Sequence, residues 1–442
     1  MNIDVHNGTY RCCDGISRRN FLRTGSLAFG GLSLSGLLRQ QAMAAEAGGL
    51  AKDMSVILFW QGGGPSQLDM WDMKPDAPSE FRGTFNPINT NLNGLQVCEH
   101  MPRIAKICDK LTVIRSATHG DAGHESATHT LLTGYKPTND IPANEAPSYG
   151  SVVSKEMGPR VDGFPAYMAL PTAPKSSAAA YLGVAHNPFE TQGDPSKDDF
   201  SVQNLKVPGG LTMDRLENRR AILQHFDTLR RDIDSSGVIG GMDTFGQQAY
   251  NIVTSPKVQA AFDISKEDPK TRDLYGRTTW GQNTLLARRL VEAGVRFVTI
   301  NVGGWDTHAN NFESLKKKLP DYDQAFAGLI EDLSQRGQLK NTLVLSWGEF
   351  GRTPRINKDS GRDHWANVFS VAMAGGGLKE GYVLGESDAR AEFPKDKPVS
   401  PQDILATMYH QLGIDQTKNY TNEAERPVPI LNYGEPIQDI IA

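Results

Sequence analysis

The chain has 442 residues, 38% of them hydrophobic and 22% charged, with a formal net charge of −5. That balance excludes a disordered or membrane-spanning chain as the basic description, and its acidic sign makes nucleic acid an unsuited partner. After the N-terminus the apolar runs reach only about eight residues, far below the length that spans a bilayer.

Residues 1–44 read as a targeting segment. Ser17-Arg18-Arg19-Asn20-Phe21-Leu22-Arg23 is a twin-arginine export motif, a weakly apolar stretch runs from Thr24 to Leu38, and Ala42-Met43-Ala44 offers a small-residue cleavage site. The alternative is an uncleaved anchor, for which a Gly-broken stretch of roughly 15 residues is short. The expected location is therefore periplasmic, or otherwise exported by the twin-arginine route, with no membrane contact after cleavage. Cys98 and Cys108 remain in the mature chain; they either pair as a disulfide or stay as buried thiols.

Residues 45–442 read as one α/β domain. Met54 to Gln61 is a continuous apolar run stopped by Gly62-Gly63-Gly64, the pattern of a buried central strand. Leu111 to Ser116 is a second strand, and a loop from Ala117 to Gly123 leads into a helix over Glu125 to Leu132. Thr138 to about Lys175 is rich in Pro, Gly and Asn and reads as loop, with short strands at Ala166–Leu170 and Ala180–Leu182. Asp214 to Ser235 has helical period, and Gly237 to Arg277 holds a short helix or two. The stretch 138–280 reads as a cap-like insertion. Gly281 to Ala293 is an amphipathic helix followed at once by strand Val295–Val302, then helix Asp321–Gln335, strand Asn341–Leu345, strand Phe369–Ala374 and helix Pro401–Leu412. Such alternation predicts an α/β fold with a largely parallel sheet.

Two segments directly after strands carry the chemistry. They are Gly303-Gly304-Trp305-Asp306-Thr307-His308 and Ser346-Trp347-Gly348-Glu349-Phe350-Gly351-Arg352-Thr353, with Gly361-Arg362-Asp363-His364 close behind. Ligands bind at the carboxyl ends of strands in open α/β sheets, so these imidazoles and carboxylates read as a metal or hydrolytic site. Asp306 and His308, two residues apart, share one face of an extended segment, which permits joint ligation; a local hydrogen-bonded turn is the alternative. Glu349 is a ligand, a general base or the partner of Arg352. Arg352, Arg355 and Arg362 either clamp an anion or pair with Glu349, Asp359 and Asp363. His124, at a helix start, is a general base, a nucleophile or a metal ligand. Ser66 lies outside any nucleophile elbow, because Leu68 stands where glycine is required.

His124-Glu125-Ser126-Ala127-Thr128-His129-Thr130-Leu131-Leu132-Thr133-Gly134 resembles the nucleophile segment of sulfatases and the serine-bearing helix of alkaline phosphatases. The run Leu285 to Val298, the Gly-Trp-Asp-Thr-His and the Glu-Phe-Gly-Arg-Thr-Pro resemble an exported bacterial family, domain of unknown function 1501. That family is regarded as a remote relative of the alkaline phosphatase and sulfatase superfamily, and the resemblance implies that superfamily's three-layer α/β/α sandwich. The resemblance implies that Asp306, His308 and His364 hold one metal, and that Asp69 and Glu349 stand in for a second metal's ligands. His124 occupies the nucleophile position, which excludes formylglycine. The resemblance thus implies a divalent ion, with zinc the default and manganese, iron or calcium as alternatives. His124, Glu349 and Arg352 become the catalytic candidates. The implied function is an exported metal-dependent hydrolase of phosphate or sulfate esters, its substrate an anionic ester or polysaccharide. The alternative is a degenerate, non-catalytic member that binds a glycan or a protein partner.

Overall fold

The computed structural model describes residues 53–138, 144–161, 163–200 and 255–442. The targeting segment and the helix expected over Asp214–Ser235 lie outside them. Among the described residues, one eight-stranded sheet dominates. Its strands are β1 (Ser55–Trp60), β2 (Leu111–Ala117), β3 (Tyr167–Leu170), β4 (Phe189–Glu190), β5 (Phe297–Asn301), β6 (Thr342–Trp347), β7 (Phe369–Ala374) and β8 (Tyr382–Leu384). The spatial order is β8-β2-β7-β6-β1-β5-β3-β4. Every pairing is parallel except those of β7, which runs antiparallel to both β2 and β6.

The central strand β1 shows why an unbroken apolar run was needed. Successive side chains leave opposite faces of a strand. Ile57 and Phe59 accordingly enter one core, while Val56, Leu58 and Trp60 enter the other, all of them buried. Helices cover both faces: α1 (His124–Thr133), α2 (Tyr149–Met157), α3 (Pro256–Phe262), α4 (Pro269–Tyr275), α5 (Thr279–Ala293), α6 (Asn311–Gln335) and α7 (Pro401–Leu412). Leu285, Leu290, Leu319 and Phe326 of α5 and α6 join the first core, whereas Leu131, Val152 and Leu405 of α1, α2 and α7 join the second. This is a three-layer α/β/α sandwich with a mostly parallel sheet.

Local chemistry sets the helix ends. Ser400 and Asp403 close a reciprocal capping box at α7, with Pro401 in the first turn; such a cap stabilises by about 1 kcal/mol. Ser148 and Thr278 cap α2 and α5 through their hydroxyls. Gly134, at φ +82°, ends α1 in the left-handed conformation that glycine takes without a Cβ penalty.

Three local expectations change. Ala180–Leu182 is a turn of 3₁₀ helix rather than a strand: Ala180 sits at φ +44°, and the Leu182 amide donates to the Ala179 carbonyl. The loop expected from 138 to 175 contains α2. Helix α6 begins at Asn311, ten residues early, and runs through Pro320. Pro320 is exposed, so the amide it lacks falls on the solvent face while Leu315, Leu319 and Tyr322 stay buried. Within 138–280, Tyr167–Leu170 and Phe189–Glu190 pair into the main sheet beyond β5, and residues 201–254 lie outside the described part. Cys98 and Cys108 are free, buried thiols, so the disulfide alternative falls. Burial pushes both up to about 12.

Candidate metal centre

The carboxyl ends of β1, β2, β5 and β6 open on one edge of the sheet. Because β7 runs the other way, the segment entering it arrives at that same edge. Five neighbouring strands therefore deliver loops to one place: Gln61 to Ser66, Thr118 to Gly123, Val302 to His308, Gly348 to Arg352, and the segment holding Arg362 to His364. Glycines let these loops interlock. A Cβ on Gly63, which sits at φ +112°, would lie 2.4 Å from the Asp306 amide nitrogen, and one on Gly361 would lie 1.9 Å from the His308 carbonyl oxygen. The short antiparallel ribbon of Gly351–Arg352 with His364–Trp365 sets Arg352 opposite His364.

His124, Asp306, His308 and His364 each aim one ligand atom at a common point, all within 4.8 Å of one another. Among the described residues this is the one such group of three or more His, Cys, Asp or Glu donors. His308 Nε2 lies 2.9 Å from His364 Nε2 and 3.0 Å from Asp306 Oδ1. His364 Nε2 lies 3.4 Å from Asp306 Oδ1, and His124 Nε2 lies 3.3 Å from Asp306 Oδ2.

The tautomers follow from what each other ring nitrogen meets. His364 Nδ1 donates to the Ala122 carbonyl at 2.8 Å. His308 Nδ1 donates to Asp363 at 2.6 Å, and His124 Nδ1 to Glu349 Oε1 at 2.6 Å. In the neutral rings all three Nε2 atoms are then lone pairs pointing at a carboxylate. Apart from the Arg352 N–H on Asp306 Oδ1, these acceptors face one another with no hydrogen between them and repel; a cation among them removes the conflict. Three imidazole nitrogens and one carboxylate, each ring steered by an outer acceptor, form a donor set suited to zinc, manganese or iron. The residues fit a divalent ion.

Charge is arranged to keep Asp306 ionised. Burial works against it, but the Arg352 guanidinium, donating at 2.6 Å, and the nearby imidazoles hold its carboxyl down to about 2. The Glu349 hydrogen bond raises the His124 imidazole above its ordinary value despite partial burial, whereas burial lowers that of His364. The hydrogen bond from His308 holds Asp363 below the usual carboxylate range. Side chains of Asp306 and His308 remain 43% and 47% exposed, so solvent reaches the centre.

Other expected residues sit elsewhere. Asp69 is not brought to the cluster. It is fully buried, accepts from Arg362 at 2.8 and 3.0 Å, and is further held by Ser66 and Asn311. With four donors already on its two oxygens and no exposure, Asp69 is closed to an ion. Glu349 stands behind His124 rather than among the four: its Oε1 also accepts from the Gly63 amide at 2.8 Å, and its Oε2 is buried with no hydrogen-bond partner. Arg352 is fully buried and bonded to Asp306 and to the carbonyls of Gly63, Gly64 and Arg362, so it holds the site instead of facing an anion. Arg352 and Arg362 pair with Asp306 and Asp69, not with the acids nearest in sequence. Two further histidines near the site, His119 and His129, hydrogen-bond the backbone carbonyls of Glu349 and Tyr135. Sequence reasoning missed Asp363 and the Ala122 carbonyl as outer partners; only the position of Asp363 beside His364 hinted at the first.

Comparison with known proteins gives a family match and distant structural likenesses. The family model described as "Protein of unknown function (DUF1501)" matches residues 53–441. No curated protein matches. PsFucS1 sulfatase from Pseudoalteromonas sp. is 14% identical over 91% of this chain and 74% of its own, with a TM-score of 0.42. The lipoteichoic acid synthase LtaP from Listeria monocytogenes is 12% identical over 89% and 77%, at 0.35. A mutant TAB5 alkaline phosphatase with Mg bound is 12% identical over 82% and 99%, at 0.36.

Proposed function

The chain belongs to the DUF1501 family, and we propose that it is an exported, divalent-metal-dependent hydrolase acting on a phosphate or sulfate ester. The observation that carries this reading is the convergence of three imidazole Nε2 lone pairs on the Asp306 carboxylate, each ring fixed by an outer acceptor. Asp306, His308 and His364 hold the ion at the sheet edge, with zinc as the default. A bound divalent cation polarises an anionic ester oxygen and offsets the charge that builds up on it. Arg352 orients Asp306 and keeps it ionised. Asp363 and the Ala122 carbonyl fix the His308 and His364 tautomers. Glu349 Oε2, the unpartnered carboxylate oxygen behind the cluster, is the group suited to take a proton. The ester class rests on the resemblance of the α1 segment to the sulfatase and phosphatase nucleophile helix, and export rests on Arg18 and Arg19. No helix of the described residues is long and apolar enough to cross a membrane.

A second reading is binding of an anionic glycan without turnover. It draws on the imidazole at position 124, where the resemblance expects a hydroxyl or thiol. The deciding experiment measures metal in purified protein and in a His308→Ala/His364→Ala variant, then screens nitrophenyl phosphates and sulfates. Ion lost in a folded variant, with metal-dependent hydrolysis, supports the enzyme. Bound ion without hydrolysis, together with retention of sulfated glycans, supports the binder. A folded, metal-free wild type overturns the enzyme reading and leaves the binder to be judged by glycan retention alone.

A further inference from the structure

Position 124 is where a covalent nucleophile would stand, and the geometry there does not suit one. With Nδ1 donating to Glu349, the neutral His124 ring keeps one lone pair, on Nε2, and that lone pair cannot both hold an ion and attack a transferred group. It faces Asp306 Oδ2 at 3.3 Å, inside the cluster. Ligands at about 2.0–2.1 Å from a tetrahedral ion are roughly 3.3–3.5 Å from one another. The His124–Asp306 and His364–Asp306 separations, 3.3 and 3.4 Å, are of that size, and His308 stands at 3.0 Å from the same carboxylate. Asp306 divides its oxygens accordingly, Oδ2 toward His124 and Oδ1 toward the other two rings. The His124 ring meets the His364 ring edge-on with centroids 4.2 Å apart, and Glu349 pins its Nδ1 as Asp363 pins that of His308.

Building on the metal reading above, we propose that His124 is the fourth ligand of the cation through Nε2, so that α1 supplies a ligand and no covalent nucleophile. The donor set is then three histidines and one aspartate, with Glu349 as the outer partner of the fourth.

The test is a Co²⁺ titration of the full chain, read by visible absorption, for wild type, His124→Ala and His308→Ala, with circular dichroism confirming the fold. Wild type is expected to bind one Co²⁺ with the intense bands of a four-coordinate site. His124→Ala is expected to weaken binding at least as much as loss of an outer partner does, roughly 10–100-fold, and to lose band intensity as water replaces imidazole. Added imidazole restores the bands. His124→Gln, which keeps a polar side chain beside Glu349, gives the same result should the alanine variant misfold. Affinity and spectrum unchanged in both His124 variants, with binding lost in His308→Ala, overturn this proposal and leave the metal site standing. No Co²⁺ bound by folded wild type overturns both.

Discussion

Replacing Asp69 by Asn separates a structural carboxylate from a metal ligand. In the fold Asp69 and Arg362 are both fully buried, and the carboxylate accepts two guanidinium N–H bonds besides those of Ser66 and Asn311. The amide keeps the shape but removes the charge and turns a donor toward a donor, leaving Arg362 an uncompensated buried cation. Breaking such a pair from one side costs about 3–5 kcal/mol. With an unfolding entropy of about 2.1 cal/mol/K per residue over roughly 390 residues, 4 kcal/mol corresponds to a fall of about 5 °C in Tm. Differential scanning calorimetry gives the shift, and metal analysis of the same sample gives the stoichiometry. The expected pair of results is a lowered Tm with unchanged bound metal at 25 °C. An unchanged Tm with less bound metal refutes the assignment and returns Asp69 to the ligand list.

Further outcomes follow from other sites. Asp363→Ala should weaken metal binding about tenfold in a chelator competition, the low end of the usual range because Asp363 is half-exposed; affinity equal to wild type would remove it as the partner of His308. Cys98 and Cys108, their thiols pushed up to about 12, should resist alkylation at pH 8 in the native protein and react on unfolding, as peptide mapping would read. Burial, with the Lys155 charge adding, lowers the His186 imidazole to about 4. Because the folded value lies below the unfolded one of about 6.5, the unfolded chain takes up the proton first. Stability should therefore fall as pH drops from about 6.5 toward 4, and His186→Gln should flatten that slope in denaturant titrations; an unaltered slope sinks the assignment. Arg18→Lys/Arg19→Lys should hold the protein inside the cytoplasm on cell fractionation, and continued export of that variant would rule out the twin-arginine route.

Elements with a strong local signature were legible in the sequence. Phe369–Ala374 and Pro401–Leu412 keep their expected bounds because an apolar run between turns, and a Ser-Pro start with apolar period, leave little choice. Helix α2 was hidden, since Gly150, Val152 and Val153 are poor helix formers and the neighbourhood is full of proline and glycine. What holds it is tertiary: the Tyr149 ring packs against Phe297 at 5.4 Å. At the metal centre, the residue types and their strand-end positions were readable, but partner choice was not. Asp363 meets an imidazole 55 positions away, and Arg362 meets an aspartate 293 positions away. Nothing local distinguishes Asp69, closed inside a salt bridge, from an acid free to ligate.

The placement of β1 has a consequence for synthesis. It is made among the first of the strands, yet its sheet neighbours are residues 297–301 and 342–347. At about 5–20 residues per second the ribosome delivers those partners roughly 12–60 s later. Through that interval Ser-Val-Ile-Leu-Phe-Trp is an apolar segment with two unpaired edges, the composition that adds to other strands. The nascent chain thus carries an aggregation-prone segment unprotected until about three-quarters of it has been made, and holding that strand apart is the task of whatever shields the chain before the sheet closes.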